Sequence, residues 1–173
     1  MLLAAKTEKA PAYRVGGATL FLAAAVILTA LAFERFGGYS PCPLCLQQRY
    51  AYYAGAPALF LALVLLTAGY ARAAAAIFLL VAAAFLANAG LSTYHAGVEW
   101  KFWPGPDTCA ATGTPPLGTG AGGLLKDLAT TRVIRCDEAP WHFLGLSFAG
   151  WNVVACVLLA IGSVSAAAKA WRS

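Results

Sequence analysis

The chain has 173 residues, of which 61% are hydrophobic and only 11% are charged. A soluble domain carries about 25% charged residues, because polar side chains have to cover its water-facing surface. The composition therefore excludes an ordinary soluble domain and predicts a polytopic membrane protein. The net charge of +5 forms no basic stripe with interleaved aromatic residues, so nucleic-acid binding is not expected.

Four apolar segments are long enough to cross a hydrocarbon core of about 30 Å at about 1.5 Å per residue. We expect them at about residues 15–35, 46–70, 73–94 and 144–168, in one integral membrane domain covering residues 1–173. The outer loops are then residues 36–45 and 95–143, and the predicted fold is an all-α bundle of four transmembrane helices. For the first segment, a cleaved signal peptide ending at Ala30-Leu31-Ala32 is the alternative, although its apolar run exceeds the usual ~7–15 residues.

The distribution of Lys and Arg predicts the orientation. The side with both termini has one acid, Glu8, whereas six acids offset the cations of the other side. The two sides differ by only one cation, but on the first side the cations lie in very short segments beside the spans, where the positive-inside rule applies most strongly. This pattern predicts cytoplasmic termini and outer loops on the opposite side, which is the periplasm if the source is a Gram-negative bacterium. The cations of the first side are Lys6, Lys9, Arg14, Arg72, Lys169 and Arg172.

The long outer loop contains a short segment with leucines at helical spacing. Leu124, Leu125 and Leu128 are flanked by charged residues, which predicts a short amphipathic helix. This helix lies either on the membrane surface or against the rest of the loop.

A Cys-x-x-Cys pair, Cys42 and Cys45, precedes the second span. Such a pair is typical of a redox dithiol or of half a zinc site. A structural zinc site needs four ligands, and neither His95 nor His142 has zinc-finger spacing from a second ligand. We assign no metal, and zinc stays an alternative.

The position of the pair favours a reactive thiolate. Pro43 is suited to a first helical turn, so Cys45 lies near a helix N-terminus, where backbone N–H groups and the macrodipole favour negative charge. Arg49 follows one turn later on the same face. Its charge either lowers the thiol pKa further, or the side chain only extends to the membrane interface. We therefore expect Cys45 to be the thiolate.

A dithiol at the membrane surface can be reached by a lipid-soluble electron acceptor, and a quinone is the obvious candidate. Tyr50, Tyr52 and Tyr53 lie nearby, as interfacial aromatic residues often do. His95, at the outer end of the third span, either donates a hydrogen bond to a quinone oxygen or is simply interfacial.

A second pair, Cys109 and Cys136, lies in the long outer loop. A disulfide between them would be either a structural bridge worth ~3–4 kcal/mol or an exposed bond that another thiol attacks. Cys156 lies deep in the fourth span and is expected to behave as a small apolar residue.

The whole pattern resembles the disulfide bond formation protein B (DsbB) family. It combines four spans, a Cys-x-x-Cys after the first, an arginine four residues beyond it, and a second cysteine pair in the last outer loop. The segment from Cys136 to Leu146, CDEAPWHFLGL, also resembles that family. The resemblance extends over nearly the whole chain from Val15.

The resemblance implies a membrane thiol:quinone oxidoreductase that supports disulfide bond formation in the bacterial periplasm. It would take electrons from a thioredoxin-fold dithiol oxidase, DsbA, and pass them to ubiquinone or menaquinone in the membrane quinone pool. By position, the partner's thiolate would attack Cys109, and Cys136 would form an inter-loop disulfide with Cys42. Cys45 would then donate to the quinone beside Arg49 and His95.

Two other protein classes are compatible with parts of the pattern. The vitamin K epoxide reductase family also has a Cys-x-x-Cys facing a quinone, but its loop cysteines precede that motif, whereas here Cys42 and Cys45 come first. A non-catalytic tetraspan scaffold would explain a Cys109–Cys136 bridge but would leave Cys42, Cys45 and Arg49 without a role.

Overall fold

The computed structural model describes residues 2–106 and 136–172, with side chains from residue 10 onward. Four long helices form the fold: α1 (Leu2–Gly37), α2 (Pro43–Thr67), α3 (Ala71–Glu99) and α4 (Phe148–Trp171). Two short strands, β1 (His142–Phe143) and β2 (Leu146–Ser147), form an antiparallel hairpin before α4.

Each helix packs against two neighbours, in the order α1–α2–α3–α4–α1. Phe78 and Phe85 of α3, Leu59 of α2 and Leu159 of α4 are fully buried between them. Small residues allow the helices to approach closely, as is usual in membrane bundles. A Cβ atom on Gly162 would overlap the Thr19 side chain, so α4 approaches α1 closely at a position that has no side chain.

The outer faces of the bundle are apolar. Phe21, Leu80 and Phe36 expose 77%, 71% and 91% of their surface. Exposed apolar surface of this extent is unfavourable in water but is compatible with contact to lipid. Each of the four helices has a stretch long and apolar enough to cross a membrane. The predicted four-helix membrane fold is confirmed.

The helix ends differ from the predicted ones where polar residues remain helical. The helix α3 continues to Glu99, five residues past the predicted end, and closes when Trp100 and Phe102 donate backbone hydrogen bonds to Ala96 and Gly97. His95 therefore lies in a helix rather than in a loop.

The fourth helix begins at Phe148 rather than at residue 144, because the β1–β2 hairpin precedes it. Leu144 and Gly145 form the hairpin turn with φ of 51° and 80°, backbone angles that no α-helix contains. The amphipathic helix predicted at Leu124, Leu125 and Leu128 lies outside the described residues.

Candidate active site

Cys42 and Cys45 lie at the N-terminus of α2. Cys42 is the N-cap residue, and its sulfur accepts a hydrogen bond of 3.2 Å from the backbone N–H of Cys45. Pro43 occupies the first turn, where its missing N–H breaks no helical bond. The two Sγ atoms are 2.7 Å apart, and both thiols are free. The local sequence therefore folds the pair into a dithiol in contact.

His95 of α3 lies against this pair. Its Nε2 atom is 3.6 Å from the Cys42 sulfur, and its side chain is almost completely buried. The hydrogen bond from the Cys45 thiol, with a further contribution from His95, lowers the pKa of Cys42 to about 5 in spite of its burial. The geometry thus favours Cys42 as the thiolate, whereas the position near the helix start alone predicted Cys45, and which of the two sulfurs is ionised stays a prediction. The sulfur of Cys42 accepts a hydrogen bond from the helix backbone, and the N–H group that donates it belongs to Cys45.

Glu99 adds a buried carboxyl group one turn beyond His95. Its Oε1 atom lies 3.9 Å from His95 Nε2, and only 5% of its side chain is exposed. Ser147, the N-cap residue of α4, donates its hydroxyl proton to the other Glu99 oxygen. Two helix ends therefore hold an acid beside the dithiol.

Arg49 is paired with an acid of the first helix. Its Nη1 atom lies 2.5 Å from a carboxylate oxygen of Glu34, and the Arg49 side chain is only 13% exposed. The guanidinium is therefore a partly buried, fixed charge and does not simply extend into solvent. Glu34 neutralises it locally.

Cys136 lies next to the Cys-x-x-Cys pair. It is disulfide-bonded and buried in one apolar cluster with Cys42 and Leu44, against which Cys45 also packs. Lys101 donates hydrogen bonds to the carbonyl and the carboxylate of Asp137, which attaches this segment to the end of α3. Cys109, predicted to accept the partner's thiolate, lies outside the described residues.

A cavity of about 1000 Å³ joins these groups. It is lined by polar side chains, by apolar residues of α1 and by aromatic rings. Among the rings, Trp141 stacks on Phe148 with centroids 4.7 Å apart, and Phe33 lies edge-on to Phe148 at 5.1 Å. A cavity of this size and mixed lining suits a small amphipathic ligand. Its polar lining includes Glu34, Cys42, Cys45, Gln48, Arg49, His95, Glu99 and Asn152.

The three tyrosines predicted near the site have different positions. Tyr52 is buried and donates a 2.6 Å hydrogen bond to Asn152, whereas Tyr50 and Tyr53 are at least half exposed. Cys156 lies in the same buried group: it accepts a hydrogen bond from Asn88 at 3.2 Å. Cys156 thus packs in the apolar core, as expected of a small apolar residue, and also has a polar partner there.

The donor atoms of Cys42, Cys45 and His95 lie within 4.8 Å of one another, as three ligands of a metal ion would. Two sulfurs bound to one tetrahedral zinc ion at about 2.3 Å would however be separated by roughly 3.8 Å. The observed contact of 2.7 Å fits a redox pair better than two zinc ligands.

Sequence reasoning missed four polar residues of the site, Glu34, Gln48, Glu99 and Asn152. On α3, however, the polar residues Asn88, Ser92, His95 and Glu99 recur at steps of four, three and four, and so lie on one helical face. Polar residues on one face of an apolar span point towards the bundle interior. That spacing could have identified Glu99.

Comparison with known proteins gives a consistent family. Residues 14–166 match the family "Disulfide bond formation protein DsbB". Relatives carrying the name "Disulfide bond formation protein B" include one from Aromatoleum aromaticum, 31% identical over 76% of this chain and 78% of the relative. Another, from Xanthomonas oryzae pv. oryzae, is 32% identical over 88% of this chain and 89% of the relative. No solved structure matches the chain.

The matched residues include α2, α3, most of α1 and α4, and the cysteines in the outer connections. The chain therefore belongs to the DsbB family of membrane oxidoreductases that act in disulfide bond formation.

Proposed function

We propose that this chain reoxidises a DsbA-like thioredoxin-fold oxidase in the periplasm and passes the electrons to a quinone of the inner membrane. The observation that carries the proposal is a free dithiol, Cys42 and Cys45, that opens into a large cavity beside Arg49 and His95. The short cationic segments beside the spans support cytoplasmic termini, with the cysteine loops on the periplasmic side.

The cavity residues fit a quinone head group. A quinone is a flat apolar ring with two carbonyl oxygens, so it needs apolar walls and donors at its edge. Phe33, Trp141 and Phe148 supply the walls, Arg49 supplies N–H groups, and His95 lines the same cavity. When bound, the quinone accepts two electrons and two protons and becomes a quinol.

The electrons enter by thiol–disulfide exchange. One thiolate of the partner attacks Cys109 in a Cys109–Cys136 disulfide, which forms a mixed disulfide and releases the Cys136 thiolate. The second partner thiol attacks the mixed disulfide, so the partner leaves oxidised and Cys109 and Cys136 keep both electrons. Cys136 can then exchange with a Cys42–Cys45 disulfide, since it lies in the same buried cluster as Cys42.

That exchange joins Cys136 to Cys42 and releases Cys45. Attack by Cys109 on Cys136 re-forms the Cys109–Cys136 disulfide and leaves Cys42 and Cys45 as a dithiol. The dithiol becomes a disulfide again when it gives up two electrons and two protons. In sum, one partner dithiol and one quinone yield one partner disulfide and one quinol.

The test uses purified full-length protein with a quinone and a reduced thioredoxin-fold partner. The wild type should oxidise the partner with one quinone reduced per disulfide formed, and Cys45→Ser should abolish turnover. Cys109→Ser should lose partner oxidation while a small dithiol still reduces the quinone through Cys42 and Cys45. Cys156→Ser, which keeps a polar group at its position, is the matched control and should remain active.

Full activity of Cys45→Ser would contradict the proposal. The role of Arg49 is tested separately, by Arg49→His. An unchanged quinone KM in this variant would show that Arg49 does not contact the quinone.

A further inference from the structure

A chain of hydrogen bonds runs from the backbone of α3 to the ring of His95. It begins at Ser92, whose hydroxyl donates to the carbonyl oxygen of Asn88 at 2.7 Å. A hydroxyl has one proton, so the Ser92 oxygen can only accept its next bond. Its neighbour is Asn152 of α4, at 2.7 Å. Asn152 must therefore present its NH₂ group to Ser92.

The same NH₂ group of Asn152 reaches Gln48 of α2. Asn152 Nδ2 donates to Gln48 Oε1 at 3.1 Å, while the Asn152 carbonyl oxygen accepts the Tyr52 hydroxyl at 2.6 Å. If the Gln48 amide were reversed, its NH₂ would face the NH₂ of Asn152, donor against donor. Gln48 therefore directs its oxygen to Asn152 and its nitrogen away from it.

The nitrogen of Gln48 faces His95. Gln48 Nε2 lies 3.0 Å from His95 Nδ1, and an amide nitrogen can only donate. His95 Nδ1 must then accept, so the neutral ring carries its proton on Nε2. That nitrogen faces the Cys42 sulfur at 3.6 Å and a Glu99 oxygen at 3.9 Å.

We propose that Gln48 and Asn152 are positioning residues that hold His95 as the Nε2–H tautomer, so that His95 donates a hydrogen bond towards Cys42 and does not act as its base. A proton on Nδ1 would face the N–H donor of Gln48, which is an unfavourable contact between two donors. Nε2 already bears the proton of the neutral ring. The ring therefore has no free lone pair for a cysteine proton. This inference refines the role of His95 in the proposed function. The tautomer follows from the hydrogen bonds alone, and only its consequence for the reaction rests on the proposed function.

Nuclear magnetic resonance of ¹⁵N-labelled histidine tests the tautomer directly. The chain has only two histidines, so the exposed His142 is replaced by Asn and a single ring remains. The Cys42–Cys45 pair is kept as a disulfide, so that no thiolate can hold the proton on Nε2. No quinone or partner is present, so the result is independent of the proposed activity.

The wild-type ring should bear its proton on Nε2. Gln48→Leu should give a mixture of the two tautomers, and Asn152→Leu, which frees the Gln48 amide to reverse, should do the same. Gln48→Glu preserves the shape of the side chain, and its carboxylate accepts from the ring, so it should move the proton to Nδ1. Gln47→Leu, at the exposed neighbouring position, is the control and should leave the ring unchanged.

Two results would overturn the inference. One is a proton on Nδ1 in the wild type. The other is an unchanged Nε2–H tautomer in Gln48→Glu, because the ring would then be held by groups other than the amides. Gln48→Glu keeps the test valid even if the leucine variants fail to fold.

Discussion

The hydrogen bonds around Cys42 predict that its thiol ionises more readily than an ordinary thiol. Its pKa falls from 9.0 to about 5, and the Cys45 thiol is the largest cause, followed among the lowering contributions by His95. Cys45→Ala removes the first donor, and a hydrogen bond to a charged group contributes about 1.5–3 kcal/mol. The variant should therefore raise the pKa of Cys42 by about one to two units.

The assay is the rate of alkylation of Cys42 as a function of pH, with each cysteine identified by mass spectrometry. Only the thiolate reacts, so the rate follows the ionised fraction, and in the reduced wild type it should already be half-maximal at about pH 5. In Cys45→Ala the thiolate should appear only at higher pH, and the curve should move to the right. Cys156→Ser is the control, with an unchanged profile.

Two outcomes would refute this reasoning. Cys42 could titrate like a free thiol, near a pKa of about 8.5, or Cys45 could be alkylated first as pH rises. The second outcome would restore the assignment of the thiolate to Cys45.

Four further predictions concern the rest of the site and the bundle. Arg49→Gln should raise the quinone KM about tenfold through loss of a charged donor, whereas Glu34→Gln, which frees Arg49 from its ion pair, should lower it. Glu99→Gln should slow quinone reduction at least about 100-fold if its carboxyl carries a proton of the dithiol, while Cys42 alkylation at neutral pH continues. Gly162→Val should lower the unfolding temperature, because its side chain would overlap Thr19; a valine tolerated without loss would disprove that close approach. Dialysis against a chelator should leave dithiol oxidation unchanged, and a loss that zinc restores would support a metal site instead.

The parts of the fold that follow from local pattern could be predicted. Four apolar segments give four helices because backbone groups in lipid must pair within their own segment. The Cys42 and Cys45 pair could be placed at a helix start because Pro43 favours that position. Neither conclusion requires knowledge of which residues meet across the bundle.

The remaining features depend on contacts between distant segments. Arg49 lies 15 positions from Glu34, and His95 lies 47 positions from Gln48, so neither pair can be recognised from spacing along the chain. The assignment of the thiolate also depends on such contacts. Both cysteines lie at the same helix end, and only the structure distinguishes the sulfur of Cys42, which accepts the N–H, from Cys45, whose N–H is donated.

The polar groups of the bundle change in kind with depth, and the change has a physical reason. Glu34, Arg49 and Glu99 have ionisable side chains and lie at the outer end, around the cavity. Asn152, at the cavity wall, and Cys156, four positions later in α4, are neutral and are connected by hydrogen bonds to neighbouring helices. A charge deep in hydrocarbon costs several kcal/mol, whereas an amide or a thiol with a partner costs far less. Reactions that move protons and electrons are therefore confined to the outer end, and the neutral groups beneath can orient that site without adding a charge to the membrane core.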